Sequence, residues 1–245
     1  MYSFLRNGIG LVLLFSFVNT RTLAQIDISK LELGVTGGIF VYQGDLTPSP
    51  IGSYRTLKPT FNLFVNRTLT GTFSLRTSLF YGGLLGNDAA YSSPEWRQQR
   101  NLAFNTRNIE LSELLVWRAW RADHGLVPYV FGGIGASFLN IKRDWSRFNP
   151  EFFTSENLAA RVAEDISHST PTVLPVIPVG IGLQYSISKK LCILTETAYR
   201  FTRTDYLDGF SKAGNPRLND HYQSHTIGLL YKFGRKDNLN CPTTF

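Results

Sequence analysis

The stretch PVIPVGIGLQYSIS places Ile177, Val179, Ile181, Leu183, Tyr185 and Ile187 at every second position, with Pro178, Gly180, Gly182, Gln184 and Ser186 between them. Period-two alternation belongs to an extended strand with one apolar face, because a helix would scatter the same residues around its surface. TFSLRTSLFY repeats the pattern with Phe73, Leu75, Leu79 and Tyr81 against Ser74, Arg76 and Ser78. LCILTETAYRF sets Leu191, Ile193, Tyr199 and Phe201 against Glu196, Ala198 and Arg200. The charges fall on the face opposite the apolar one. Carried along the chain, the pattern predicts eight strands at about 31–43, 57–67, 72–82, 107–120, 127–141, 175–188, 190–203 and 222–234. Two features break it. Glu113 shares the parity of Ile109, Leu111 and Leu115, and nothing in the sequence accounts for it. Gly132-Gly133 interrupts the fifth strand, where a bulge is expected to restore the phase.

The gaps between these strands alternate in length. They are long at 44–56, 83–106, 142–174 and 204–221, and short at 68–71, 121–126 and around 189. In an up-and-down arrangement all the long loops share one end. The apolar faces are rich in Phe, Tyr and Leu and nearly free of charge, whereas a soluble barrel would turn such faces inward and its charges outward. The predicted fold is therefore all-β: an eight-stranded antiparallel transmembrane barrel with long extracellular loops and short periplasmic turns. With 13% aromatic and 18% charged residues the chain has the apolar surface this requires. Its net charge of +7 is spread among acids and aromatics without a run or stripe, which speaks against nucleic acid as a partner.

The first residues have a different character. Arg6 precedes the apolar run Ile9 to Val18, and Thr22-Leu23-Ala24 supplies small residues around a cleavage point before Gln25. Residues 1–24 read as a secretory signal peptide, implying export through the Sec pathway, with the barrel spanning 25–234. The run is well short of the roughly 20 residues a membrane-spanning helix needs. An even strand count returns the chain to the periplasm, so residues 235–245 form a periplasmic tail.

Chemistry is sparse. Glu196 and Arg200 lie four apart on one inner face and are expected to pair, with Arg76 and Glu32 or Glu110 in reach, because an unpaired charge in a closed interior costs several kcal/mol. At the end of the seventh strand, TDYLDG reads as a turn. Asp205 and Asp208 would bond downstream amides, Gly209 would take a positive φ, and Tyr206 would lie in the headgroup belt. His221, Ser224 and His225 are the catalytic candidates, but parity puts both histidines outside and the serine inside, so no enzyme is expected. Cys192 and Cys241 have no histidine at ligand spacing; neither a metal nor a cofactor is expected. Cys192 belongs in the wall near a periplasmic turn, and Cys241 is left to pair with it, to stay free or to bond a partner.

ETAYRFTRTDYLDGFSK, with Glu196, Arg200, Thr204, Asp205, Tyr206, Leu207 and Asp208, carries a resemblance. Supporting segments are GGIFVYQGDL with Gly38, Tyr42, Gly44 and Asp45, then IELSELL, PYVFGGIG, IPVGIGLQYSIS, YKFG and the tail NCPTTF. Together they resemble a Bacteroidota outer-membrane barrel family that includes the PorG-like proteins of the type IX secretion system. The third long loop departs from that family, since in TSENLAARVAEDIS Ser155 would cap a short helix with Leu158, Val162 and Ile166 on one stripe. The resemblance implies a non-catalytic outer-membrane subunit that anchors a periplasmic partner, such as a lipoprotein of the secretion machinery. The tail residues Arg235, Lys236, Cys241 and Pro242 are its expected docking element. The alternatives are an outer-membrane lipid-modifying enzyme and a small-solute or adhesion barrel.

Overall fold

A computed structural model describes residues 27–120, 125–154, 157–215 and 219–234. The predicted leader, Ser155 and the tail with Arg235, Lys236, Cys241 and Pro242 lie outside them. Eight strands, β1 (Leu31–Gln43), β2 (Lys58–Thr68), β3 (Phe73–Asn87), β4 (Ala103–Arg118), β5 (Gly125–Asp144), β6 (Val173–Ser186), β7 (Leu191–Thr202) and β8 (His221–Lys232), pair each with the next. Antiparallel pairing of β8 with β1, from Glu32 opposite Lys232 to Gln43 opposite His221, closes the barrel and leaves no edge. The strand positions agree with the alternation to within a few residues, except that β3, β4 and β5 run on past the long-loop rim. Asn87 is still paired with Ala103, and Ala103 with Asp144.

Side-chain alternation sorts the wall into two surfaces. Outward stand Leu63, Leu79, Leu115, Val179, Ile181 and Ile227, with Ile181 and Ile227 at 64% and 63% exposed. Inward stand Arg76, Glu110, Glu196 and Arg200, none more than 4% exposed. This is the inverse of a soluble barrel, and the apolar belt is the surface a barrel presents to hydrocarbon. Trp117, Trp120, Tyr185, Tyr231 and Phe233 edge the belt at the short-turn end, where amphipathic rings are favoured. No described helix is long and apolar enough to cross a membrane.

The fifth strand corrects one expectation. Its register with β4 runs without a break from Arg118 opposite Tyr129 through Leu115 opposite Gly132 and Leu114 opposite Gly133 to Ala103 opposite Asp144, so there is no bulge. Gly133 simply occupies an inward position where the strands approach closely. A Cβ there would stand 2.0 Å from the carbonyl oxygen of Glu113.

At the long-loop end the four loops pack together instead of standing free. Leu46, Leu102, Leu158, Leu207 and Phe210, drawn from all four, are buried with Tyr42 and Phe104 from the strand ends in one apolar cluster. Two short helices contribute: α1 (Trp96–Arg100) in the second loop and α2 (Leu158–Ser167) in the third. In α2, Leu158 and Val162 are buried and Ile166 packs against the same cluster, as the stripe requires. Its N-cap is Asn157, in a left-handed conformation without a side-chain cap bond. The first loop also bends over the outer wall: Tyr54 stacks on His225 with ring centroids 5.7 Å apart, and Gln223 donates to the carbonyl of Ile51 at 2.9 Å.

Candidate functional site

Inside the barrel the charges form a stack of three ion pairs. Nearest the short turns, Arg118 bonds Glu32 at 2.5 Å, supported by Asn66 and Ser74. In the middle, Arg76 bonds Glu196 at 2.5 Å and Asn66 at 2.8 Å, and its guanidinium lies 4.1 Å from the centre of the Phe64 ring. Above it, Arg200 bonds Glu110 at 2.7 Å and Ser224 at 2.6 Å, 4.6 Å from the Phe80 ring. The expected pair of Glu196 with Arg200 is therefore corrected. Strand tilt carries Glu196 toward Arg76 and Tyr129, whose hydroxyl donates to it at 2.6 Å, while Arg200 reaches across to Glu110. Between the two upper pairs there is a void of about 10 Å³, too small for a file of water. Aromatic rings and paired charges fill the lumen, so the interior is a plug and not a path.

Above the plug lies a polar lid. Asp165, at the end of α2 and fully buried, accepts the backbone N–H groups of Lys212 and Ala213 at 3.0 and 2.8 Å and the Tyr206 hydroxyl at 3.3 Å. The third loop thereby fastens the fourth. Arg143 donates to the carbonyls of Asp165 and Gly209 from below, its stem packed where a Cβ on Gly209 would fall. Asp88 holds Arg97 at 2.9 Å and Arg100 at 2.6 Å, and Arg100 also reaches the carbonyls of Asp45 and Ala213, which ties the first, second and fourth loops together.

The TDYLDG residues belong to this lid, with two departures from the expected turn. Gly209 has φ +84°, and Asp208 accepts the N–H of Phe210 at 2.8 Å, as a turn of this kind needs. Asp205 makes no such bond. Thr204 instead accepts the N–H of Tyr206 at 3.0 Å, and the Asp205 carboxyl faces the Ser211 hydroxyl with no backbone N–H bound to it among the described residues. Nor does Tyr206 reach a headgroup belt: its ring stacks on His168 at 4.3 Å because the third loop folds over it. Tyr42 donates toward both Asp208 and Asp220, each at 2.7 Å. One hydroxyl proton cannot serve two carboxylates, so one of the contacts needs a proton held by a carboxyl group.

Burial pushes both of these carboxyls well above the usual range, with the charge of Asp208 adding at Asp220 and those of Asp45 and Asp205 adding at Asp208. Asp205 is pushed up to about 7, chiefly by burial and then by the charges of Asp45 and Asp165, with the nearby Ser211 hydroxyl opposing. Burial also raises Asp45, against Asn215 and the two arginines. Sequence reasoning missed Asp88, Asp165 and Asp220 and noted Tyr42 only as part of the resemblance, because all four are isolated polar residues until the loops fold; the one signal for Asp220 is its place just before β8, whose first residues His221 and Tyr222 pair with Gln43 and Tyr42.

The catalytic candidates stay apart. Ser224 points inward and accepts from Arg200, while His225 points outward between Thr197 and Tyr54, at 3.1 and 3.0 Å. His221 accepts from the backbone N–H of Thr202. Cys192 is buried inside the wall beside Gln184 and Ser186. Among the described residues no group of His, Cys, Asp and Glu is placed to hold a metal ion.

Residues 9–242 match a family described as a domain of unknown function, DUF6089. The chain belongs to the DUF6089 family. No curated protein matches this member. Among solved structures, it is similar to Neisserial surface protein A (12% identity, 83% of this chain and 97% of that one covered, TM-score 0.47). A major outer membrane protein from Thermus thermophilus is similar over 82% of this chain and 98% of its own, at 10% identity and TM-score 0.45. The N-terminal β-barrel domain of Pseudomonas aeruginosa OprF is similar over 82% and 96%, at 10% identity and TM-score 0.42. At such values the likeness adds nothing to what the strand register already establishes.

Proposed function

We propose that this DUF6089 protein is a non-catalytic outer-membrane component of a protein assembly, a PorG-like subunit of a type IX secretion system that anchors a periplasmic partner. The observation that carries this reading is the sealed lumen. With a void of about 10 Å³ between interlocked ion pairs, the described barrel is closed to a solute at that level, which leaves its outer surfaces as the favoured place for work. The separation of Ser224 from both histidines favours a non-catalytic role over a lipid-modifying enzyme, which needs nucleophile and base in contact. The apolar belt supports residence in a bilayer, and the leader pattern with the alternating loop lengths favours Sec export, the outer membrane and extracellular long loops. The PorG assignment rests on the TDYLD, GGIFVYQGDL and NCPTTF segments.

In this reading residues 235–245 dock the partner, a lipoprotein of the machinery, with Arg235 and Lys236 supplying charge and Cys241-Pro242 a covalent or shape-specific contact. The test compares the full chain, Cys241→Ser and a chain ending at Gly234, each in native membranes. The expected result is a co-purifying periplasmic lipoprotein that the truncated chain loses and a reductant-sensitive adduct that Cys241→Ser lacks. Normal insertion of all three with an unchanged set of bound proteins would overturn the docking role.

A second reading, an adhesion barrel, is favoured by a rim groove of about 820 Å³ lined by Pro48, Trp96, Arg97, Tyr199, Asn219 and His221. Binding of whole cells to a surface, lost on Trp96→Ala with the tail intact, would select it.

A further inference from the structure

Glu113 stands at the centre of the outward face of β4, with Ile109 and Leu111 on one side and Leu115 and Trp117 on the other, all exposed. The span from Ile109 to Trp117 is the apolar stretch of that strand, so the carboxyl lies near mid-belt. An ionisable side chain at that depth is expensive and marks a functional contact unless its own chain satisfies it. The protein shows what such satisfaction looks like at another outward polar site: His225 is bonded by Thr197 and covered by Tyr54 of the first loop. Among the described residues Glu113 receives one bond, from Thr77 Oγ1 at 2.8 Å, and it stays exposed with no loop over it.

Beside it runs an outward groove of about 680 Å³ lined by Thr77, Glu113, Ile134, Pro175, Ile177 and Phe201. Ile134, directly opposite Glu113, is 72% exposed. Arg203 closes the groove three strands away and makes no ion pair with Glu113 among the described residues. The outward cations Arg67, Arg107, Lys142 and Arg203 all stand toward strand ends, so among the described residues the mid-belt carries the Glu113 carboxyl and no lysine or arginine.

We propose that the Glu113 groove is a lateral docking surface for the membrane-embedded wall of a different protein that presents a lysine or arginine at mid-bilayer. Charge complementarity selects this occupant. Acyl chains offer the carboxyl nothing, and a second copy meeting this face by twofold symmetry would set acid against acid. The contact rests on the membrane-spanning reading of the belt and is independent of tail docking.

The test uses the full chain in native membranes, with a benzophenone amino acid replacing Ile134 or, on the far wall, Leu63. Light is expected to give one discrete protein adduct from position 134 and none from 63. The cross-linked peptide should map to a membrane-embedded segment containing Lys or Arg. Glu113→Leu should cut the adduct by about tenfold, the loss of one charge-assisted contact. Glu113→Gln should weaken it less, and ending the chain at Gly234 should leave it intact. Purified Glu113→Leu should unfold no lower in temperature than the parent on unheated gels. Four results would overturn the proposal: no adduct, an adduct to lipid or to a second copy, an adduct indifferent to Glu113→Leu, or a fall in unfolding temperature beyond about 5 °C, which would make Glu113 a structural partner of Thr77.

Discussion

Replacing Glu196 by Gln keeps the shape of the side chain and its acceptor for the Tyr129 hydroxyl but removes the charge that Arg76 faces at 2.5 Å. Both groups are about 3% exposed, so water cannot take over. Breaking one side of a buried pair costs ~3–5 kcal/mol. Here Arg76 keeps Asn66 and the face of Phe64, which puts the expected loss near the lower limit, about 3 kcal/mol or roughly a hundredfold in the folded-to-unfolded ratio. The informative quantity is the coupling. Urea unfolding in lipid vesicles, followed by gel mobility, would be measured for Glu196→Gln, Arg76→Gln, Arg200→Gln, Glu110→Gln and the paired combinations. Glu196 should couple to Arg76, and Glu110 to Arg200, by about 1–3 kcal/mol, while Glu196 with Arg200 should be additive within about 0.5 kcal/mol. Coupling of Glu196 to Arg200 as strong as to Arg76 would refute the crossed arrangement.

The lid and the belt give further expectations. Asp165→Ala removes the acceptor of two backbone N–H groups, one part-buried and one buried, so the amides of Lys212 and Ala213 should lose their hydrogen-exchange protection, at a local cost of about 2–4 kcal/mol, while strand amides keep theirs. Asp205, whose folded value of about 7 lies above its ordinary 3.8, contributes lid stability that is complete below about pH 4 and lost as pH rises through 7. Exchange of the 205–215 amides, corrected for its intrinsic pH dependence, should therefore be faster at pH 8 than at pH 5.5, and Asp205→Asn should flatten much of that difference. Arg at the outward Ile181 should cost about 2–4 kcal/mol and impair insertion into vesicles, whereas Arg at the loop residue Ser92 should not. Ala at the inward Gly182 should act by crowding, since its Cβ would fall 2.3 Å from the Tyr129 ring, and should lower stability without slowing insertion.

The alternation by itself determined that eight extended segments exist, which face of each is apolar, and that the long connections share one end, because side-chain direction in a strand is a local property with a period of two. It therefore also placed Ser224 inside and His225 outside, and identified Glu113 as an outlier without saying what it meets. Which charges pair was beyond it. Glu196 and Arg200 are neighbours in sequence, but tilt and stagger bring Arg76 and Glu110 closer, and that stagger is a global consequence of closing the sheet. Gly132-Gly133 read as a bulge because their missing side chains mimic a break in phase, whereas the paired strands hold the register through them. The loops were the least legible part. Asp165, Tyr42 and Asp220 come from distant places in the chain, and only the packing of four loops over one mouth turns Tyr206 from a membrane-facing ring into a partner of His168.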